Sequence, residues 1–119
     1  MTLDELKKMI AEGKLIRDAD LSGVDFSTQD ISGAKMQSCS FSGCMMRDAD
    51  LHDASLVECD FSKADLRGAN LMGCDLYGAD FTGARMRRSN LTNSNRIGAK
   101  IQQWALKGAY IAGPTAYVD

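Results

Sequence analysis

A period of five residues runs through almost the whole chain and constrains its fold more than any other feature. From Ile16 to Ile111, nineteen of the twenty residues at this spacing are large and apolar, and Arg96 is the exception. Two positions earlier in each unit, from Ala19 to Ala109, sixteen of nineteen residues are Ala, Cys or Ser. Neither an α-helix nor a plain strand has a period of five, so the pattern excludes both as the main architecture.

The three phases of the repeat predict a hollow coil with a narrow core. A large residue and a small residue two positions apart on an extended segment point the same way, so both can face inward. All eleven glycines fall two positions after the large phase, where a corner needs a permissive backbone. Four such units can close a square coil, and successive coils can pair like parallel strands, about 4.8 Å apart.

Several units also match a known repeat. The matching segments are Ala19-Asp20-Leu21, Ala49-Asp50-Leu51, Ala64-Asp65-Leu66, Ala69-Asn70-Leu71 and Ala79-Asp80-Phe81. They resemble the pentapeptide-repeat family, whose unit is approximately Ala-(Asp/Asn)-Leu followed by two variable residues. The resemblance covers about residues 14–113 and implies an all-β, right-handed quadrilateral parallel β-helix of about five coils. It implies little about activity, because one fold can carry many functions.

We predict three segments: an N-terminal capping helix in 1–14, the β-solenoid in 15–113 and a C-terminal tail in 114–119. The N-terminal sequence Thr2-Leu3-Asp4-Glu5 is a capping-box pattern, and the apolar residues that follow it give one helical face. A helix over 3–12 would cover the first coil, since a stacked solenoid must cover its ends. The alternative is a helix that binds a partner.

The C-terminal end carries a second candidate feature. Trp104 occupies the small inward phase, where an indole cannot fit between two coils but could lie across an open end. The candidate end-cap residues are Trp104, Tyr110, Tyr117 and Val118. They form either a plug over the open end or a homodimer interface. The dimer would bury an apolar cap, which monomers rarely expose. The family resemblance favours the dimer, as some members dimerise through their C-terminal ends.

Stacking the coils predicts columns of core residues. One column, Leu21, Phe41, Phe61, Phe81 and Ile101, contains a ladder of three phenylalanines. Another runs Ile16, Met36, Leu56 and Leu76 and then reaches Arg96. A charged side chain cannot enter such a core unpaired. We therefore expect either that Arg96 points outward or that the register shifts and Ile97 replaces it.

Charge is distributed unevenly along the chain. Residues 1–60 carry a net charge of −6 and residues 61–119 a net charge of +4, for an overall −2. A basic stripe is predicted on one outward face, formed by Arg47, Arg67, Arg85, Arg87, Arg88 and Lys107, with Asp48 and Asp65 as the nearby acids. It is either a docking surface for an acidic partner protein or a charged surface that maintains solubility.

The reactive side chains point to structure rather than catalysis. Cys39, Cys44, Cys59 and Cys74 all occupy the small inward phase and are expected to be free thiols. Cys39 and Cys59 would stack closely enough for a disulfide, but such bonds are rare in the cytosol, where we place the protein. His52 is the single histidine, too few for a zinc site. We expect no enzyme activity, no cofactor, no metal and no membrane span.

The leading functional hypothesis is a non-enzymatic scaffold or adaptor that binds a protein through a solenoid face or end. The family resemblance adds that some members occur beside bacterial secretion machinery. It also provides the alternative, a DNA mimic that binds and modulates gyrase or another type II topoisomerase. Direct nucleic-acid binding ranks third, because the net charge is negative and the basic stripe shows no aromatic residue for base stacking.

Overall fold

Backbone pairing at an offset of twenty residues organises the fold, as seen in a computed structural model that describes residues 1–111. The elements are helix α1 (Leu3–Ala11), strands β1 (Leu15–Arg17), β2 (Lys35–Gln37) and β3 (Ser55–Val57), and a 3-10 turn (Gln103–Leu106). The strands form one parallel sheet in the order β1-β2-β3. Isolated parallel bridges continue the same offset, from Asp20 with Ser40 to Asn90 with Tyr110. The chain is therefore a β-solenoid with four five-residue units per coil, as the repeat predicted.

The core contains the large and small phases of the repeat, and nearly all of them are buried. The predicted phenylalanine ladder is confirmed. The ring centroids of Phe41 and Phe61 lie 4.8 Å apart, those of Phe61 and Phe81 lie 5.0 Å apart, and all three rings are nearly parallel. Close stacking is possible because Ala or Cys occupies the neighbouring inward position and leaves room for the ring.

Asp and Asn side chains close the turns of the coil. They occupy the position between the small and large phases, and one side-chain oxygen accepts a hydrogen bond from the amide two residues later. This occurs at Asp20, Asp25, Asp30, Asp50, Asp60, Asp65, Asn70, Asp75, Asp80, Asn90 and Asn95. Hydrogen bonds from Ser22 hold the pKa of Asp20 below its usual range. These Asp and Asn side chains stabilise the turns by hydrogen-bonding their own backbone two residues on.

The corner after each turn adopts a left-handed backbone conformation. Among the described residues, ten glycines adopt it, and nine residues of other types also have φ between 54° and 62° there. Gly68 shows a second reason for glycine, because a Cβ at this position would collide with the Asp48 carboxylate in the coil below. The ten glycines from Gly13 to Gly108 are thus explained partly by backbone conformation and partly by space between coils.

Helix α1 covers the first coil. Thr2 and Glu5 form a reciprocal capping box, in which the Thr2 hydroxyl accepts from the Glu5 amide and the Glu5 carboxylate accepts from the Thr2 amide. Leu6 is fully buried, and Leu3, Met9 and Ile10 pack against the solenoid core. The observed helix ends one residue earlier than predicted and buries an end of the core that would otherwise face water.

Arg96 was placed wrongly by both alternatives drawn from the sequence. Its side chain points into the core and is 1% exposed, whereas Ile97 points outward and is 50% exposed. The reason is the backbone pairing. Asn95 exchanges hydrogen bonds with the coil below, and Ile97 O accepts from Gly78 N, so the residue between them must face inward. The guanidinium Nε and Nη1 have no hydrogen-bond partner, and burial lowers its pKa.

In the part of the chain that the structure describes, no helix is long and apolar enough to cross a bilayer. The predicted tail, 114–119, lies outside the described residues, as do Tyr117 and Val118.

Candidate functional site

The basic stripe lies across successive coils on one face of the solenoid. Arg67 O accepts from Asp48 N at 3.0 Å, Arg87 O accepts from Gly68 N at 2.9 Å, and Gly108 O accepts from Arg88 N at 2.9 Å. These bonds bring the stripe residues into neighbouring coils, at the spacing of paired strands. Cations so close together repel each other unless counter-charges or a ligand compensate.

Asp65 divides the stripe into a compensated and an uncompensated part. Arg67 binds its carboxylate through two nitrogens, with Nε at 2.8 Å from Oδ1 and Nη2 at 2.6 Å from Oδ2. Arg47 Nε approaches the same carboxylate at 3.9 Å. The side-chain hydrogen bonds of Arg67 lower the pKa of Asp65, which therefore stays ionised. Asp48, the other predicted counter-charge, makes no ion pair with a described residue.

The remaining cations lack such partners. Among residues 1–111, no ion pair is formed by Arg85, Arg87 or Lys107. Gly108 leaves space for the arginine of the coil below, since a Cβ there would lie 3.2 Å from Arg87 Cγ. Within residues 1–111, positive charge is thus concentrated without paired counter-charges towards the C-terminal end of the stripe.

Trp104, a candidate end-cap residue, lies outside the small inward phase that its place in the repeat would give it. It lies on the 3-10 turn Gln103–Leu106 and is 58% exposed, while Ala105 takes the buried position. The large indole does not fit the small inward phase, and the turn moves the next alanine into that place. The terminal column loses its regularity as well, because Ile111 is exposed instead of lying in the core.

The turn places the tryptophan beside the stripe, and the two together line an open pocket, which we call the C-terminal groove. Its volume is about 560 Å³, and its lining residues are Arg67, Arg85, Met86, Arg87, Trp104, Ala105, Lys107 and Gly108. Met86 and Ala105 are almost fully buried and form an apolar floor. The groove therefore combines an apolar base, an exposed indole and four cationic side chains, a composition suited to binding.

The groove contains residues from two features that were predicted separately from the sequence, the basic stripe and the end-cap set. Arg67, Arg85, Arg87 and Lys107 come from the stripe, and Trp104 comes from the end-cap set. Arg47, Arg88 and Tyr110 do not line it. The expectation that the basic face lacks an aromatic residue was wrong, because the displaced turn supplies one. Met86 was not recognised as a site residue. The sequence signal for the groove was weak, because it consisted of one tryptophan in a phase where sixteen of nineteen residues are Ala, Cys or Ser.

The other reactive groups are structural where they are described. All four cysteines are free and buried, and the thiols of Cys44 and Cys74 donate to carbonyl oxygens of the coil below. Burial raises the pKa of Cys74 to about 12. The hydrogen bond to Cys39 and burial both raise the pKa of Cys59. Residues 1–111 contain no group of metal-binding side chains suited to hold an ion.

His52 pairs with a single carboxylate on the surface. Its Nδ1 lies 2.6 Å from Asp50 Oδ1, and this hydrogen bond, followed by the charges of Asp50, Asp53 and Asp30, raises the pKa of the imidazole. The Asp50 oxygen also accepts from the His52 amide, so the pair belongs to a turn. This arrangement stabilises a corner of the coil and holds no nucleophile.

Comparison with known proteins gives consistent matches to one repeat family. The family model described as pentapeptide repeats matches in eight copies, over residues 16–48, 30–62, 44–83, 54–93 and 69–103. The crystal structure of a pentapeptide repeat protein from the thylakoid lumen of Arabidopsis thaliana is similar, with 27% identity and a TM-score of 0.63. That match covers 70% of this chain and 60% of the plant protein.

Two trypsin-treated variants of QnrB1, a plasmid-mediated fluoroquinolone resistance protein, are also similar. Their TM-scores are 0.53 and 0.50 and their identities 26% and 28%. Each match covers 87% of this chain, but only 66% and 64% of the QnrB1 chains. This chain thus spans less than two thirds of these solved structures. No curated protein matches it significantly.

Proposed function

Because this chain belongs to the pentapeptide-repeat family, we propose that it is a non-enzymatic scaffold or adaptor that binds a partner protein through the C-terminal groove. The observation that carries the proposal is that Trp104 lines the same open pocket as Arg85, Arg87 and Lys107, which form no ion pair with the residues that the structure describes. Tryptophan and arginine are the residues most enriched among those that dominate the energy of protein interfaces. The rest of the solenoid holds them in place.

We further propose a right-handed solenoid of about five coils that acts in the cytoplasm. The supporting observations are the regular pairing from residue 15 to residue 110 and the four free, buried cysteines. Thiols of this kind persist in reducing compartments. A position beside bacterial secretion machinery, which the family resemblance suggested, is one setting in which such an adaptor would act.

The adaptor proposal is tested by affinity capture from the native host with quantitative mass spectrometry. The probe variant is the double charge reversal Arg85→Glu/Arg87→Glu, and the matched control is Arg17→Glu/Lys35→Glu on another face. We expect at least one protein that the wild type and the control capture equally and that the probe variant loses. An unchanged partner list for the probe variant would refute the groove as the docking site.

A homodimer through the C-terminal end is the second arrangement that we retain. The exposed side chains of Trp104, Tyr110 and Ile111 favour it, because their apolar area would be buried on association. The cations of the groove oppose it, since a two-fold contact would bring like charges together. Sedimentation velocity tests for this dimer. It is measured over a range of concentrations, in low and high salt, with the wild type and with Trp104→Ala. A concentration-dependent dimer lost in the variant is the supporting result.

A second function, DNA mimicry toward gyrase or another type II topoisomerase, is favoured by the likeness to QnrB1, a fluoroquinolone resistance protein. The acidic half of the chain, residues 1–60 with net charge −6, is the surface that would imitate DNA. The basic C-terminal half and the coverage of only 66% of QnrB1 weigh against it. A gyrase supercoiling assay, with and without a fluoroquinolone, tests the proposal, and no effect at high micromolar protein would eliminate it.

A further inference from the structure

The partner of the C-terminal groove can be specified further by its chemistry, an inference that rests on the proposed function. We propose that the groove binds an acidic segment of a protein in which one large apolar side chain is flanked by aspartates or glutamates. The apolar side chain contacts the exposed indole of Trp104, and the carboxylates pair with the surrounding cations.

The need for carboxylates follows from the charges of the groove. Arg85, Arg87 and Lys107 lack ion-pair partners among residues 1–111, whereas Arg67 is already bound to Asp65. Arginine donates two parallel hydrogen bonds to a carboxylate, as Arg67 does here, so the same geometry is open to Arg85 and Arg87. An acidic ligand would relieve the repulsion among these neighbouring cations.

The need for an apolar side chain follows from the base of the groove. Met86 and Ala105 form its floor, and Trp104 remains more than half exposed beside them. A purely acidic ligand would leave the exposed indole of Trp104 in water. A volume of about 560 Å³ is ample for one aromatic or long aliphatic side chain together with part of the adjoining backbone. Side chains two positions apart on an extended segment are about 7 Å apart, which places flanking carboxylates near the cations.

Nucleic acid is the competing occupant, because arginines beside an indole also suit phosphates and bases. The remainder of the same face disfavours it. Asp25 lies in the column of Asp65 and Arg85, and Asp48 lies in the column of Gly68, so acids line the direction in which a strand of phosphates would continue. The positive site is local, which fits a short acidic segment better than a polyanion.

The single tryptophan of the chain reports binding directly through its fluorescence. The probes are a synthetic peptide with one phenylalanine between aspartates and glutamates, the same peptide with serine for phenylalanine, a version with lysines for the acids, and a single-stranded oligothymidylate. We expect a blue shift and saturable binding with the first peptide, and affinity at least about tenfold weaker for the other three.

Protein variants identify the contacts. Arg87→Glu should weaken the acidic peptide by about tenfold or more, whereas Lys35→Glu, on another face, should leave its affinity unchanged. Trp104→Ala, measured by calorimetry, should abolish the preference for phenylalanine over serine. Circular dichroism melts establish that the variants are folded.

Equal binding of all peptides, tighter binding of the oligonucleotide, or an affinity insensitive to Arg87→Glu would overturn this assignment of the ligand. The outcome is separable from the adaptor proposal. If the captured host partner still depends on Arg85 and Arg87 while the acidic peptide fails, only the ligand class is wrong. If the captured partner is also indifferent to the groove, the proposed function fails with it.

Discussion

Replacing Arg96 by methionine should stabilise the protein. The guanidinium is 1% exposed, and two of its nitrogens have no hydrogen-bond partner. A buried unpaired donor costs about 1–3 kcal/mol, and replacing buried ionic groups with apolar residues of similar volume has raised stability by about 1–4 kcal/mol elsewhere. Methionine is of similar length and would continue the column of Ile16, Met36, Leu56 and Leu76. We therefore expect Arg96→Met to increase the free energy of unfolding by about 1–4 kcal/mol.

Urea denaturation followed by circular dichroism measures this effect, because urea leaves ionic interactions unscreened. The midpoint should rise without a change in the slope, which reports the surface exposed on unfolding. The control is Arg88→Met, at an exposed corner of the preceding coil, where we expect a change within about 0.5 kcal/mol. A loss of 1 kcal/mol or more in Arg96→Met would refute the reasoning, since it would mean that the guanidinium makes favourable contacts in the folded protein.

Three further predictions concern the core and the corners. Phe61→Ala should lower stability by about 3–5 kcal/mol in urea melts, because it removes the middle ring of the ladder; a loss below 1 kcal/mol would contradict this packing. Cys74 should resist a thiol reagent at pH 8 until the protein is unfolded, since it is buried and its pKa is about 12; rapid native labelling would contradict it. In an NMR titration His52 should have a pKa above 6.5, and Asp50→Asn should reduce it. The His52–Asp50 pair contributes its full stability below the pKa that His52 has in the unfolded protein. This contribution is lost as the pH rises through the higher pKa of His52 in the folded protein.

The inner register could be predicted from the sequence because each unit repeats the same local choice. A large residue and a small residue alternate on an extended segment, and only one arrangement buries both in every coil. That is why the phenylalanine ladder and the buried cysteines were predicted residue by residue. The helix at the N-terminus could be predicted equally well, since its capping box is a local pattern of Thr2 and Glu5.

The candidate site could be predicted only in pieces. The basic stripe followed from the twenty-residue offset, which is a property of the sequence period. Its division by Asp65 depends on side-chain geometry, since Arg67 reaches the carboxylate with two nitrogens and Arg47 only at 3.9 Å. The groove itself arises from a 3-10 turn at the last coil, where Trp104 and Ala105 exchange roles, and no periodic rule describes such an interruption.

The sequence by itself thus determined the period, the identity of the inward residues over most of the chain and the polarity of charge along the axis. Tertiary structure decided what happens where the repeat is violated. Arg96 faces inward because the backbone bonds of Asn95 and Ile97 to the coil below outweigh the cost of burying one charge. Trp104 faces outward because, at the last coil that the structure describes, a local turn can absorb the excess volume. Arg96 and Trp104 differ in how strongly pairing between coils fixes their register. Backbone hydrogen bonds to the neighbouring coil hold the residues around Arg96, whereas the 3-10 turn of Trp104 departs from that pairing.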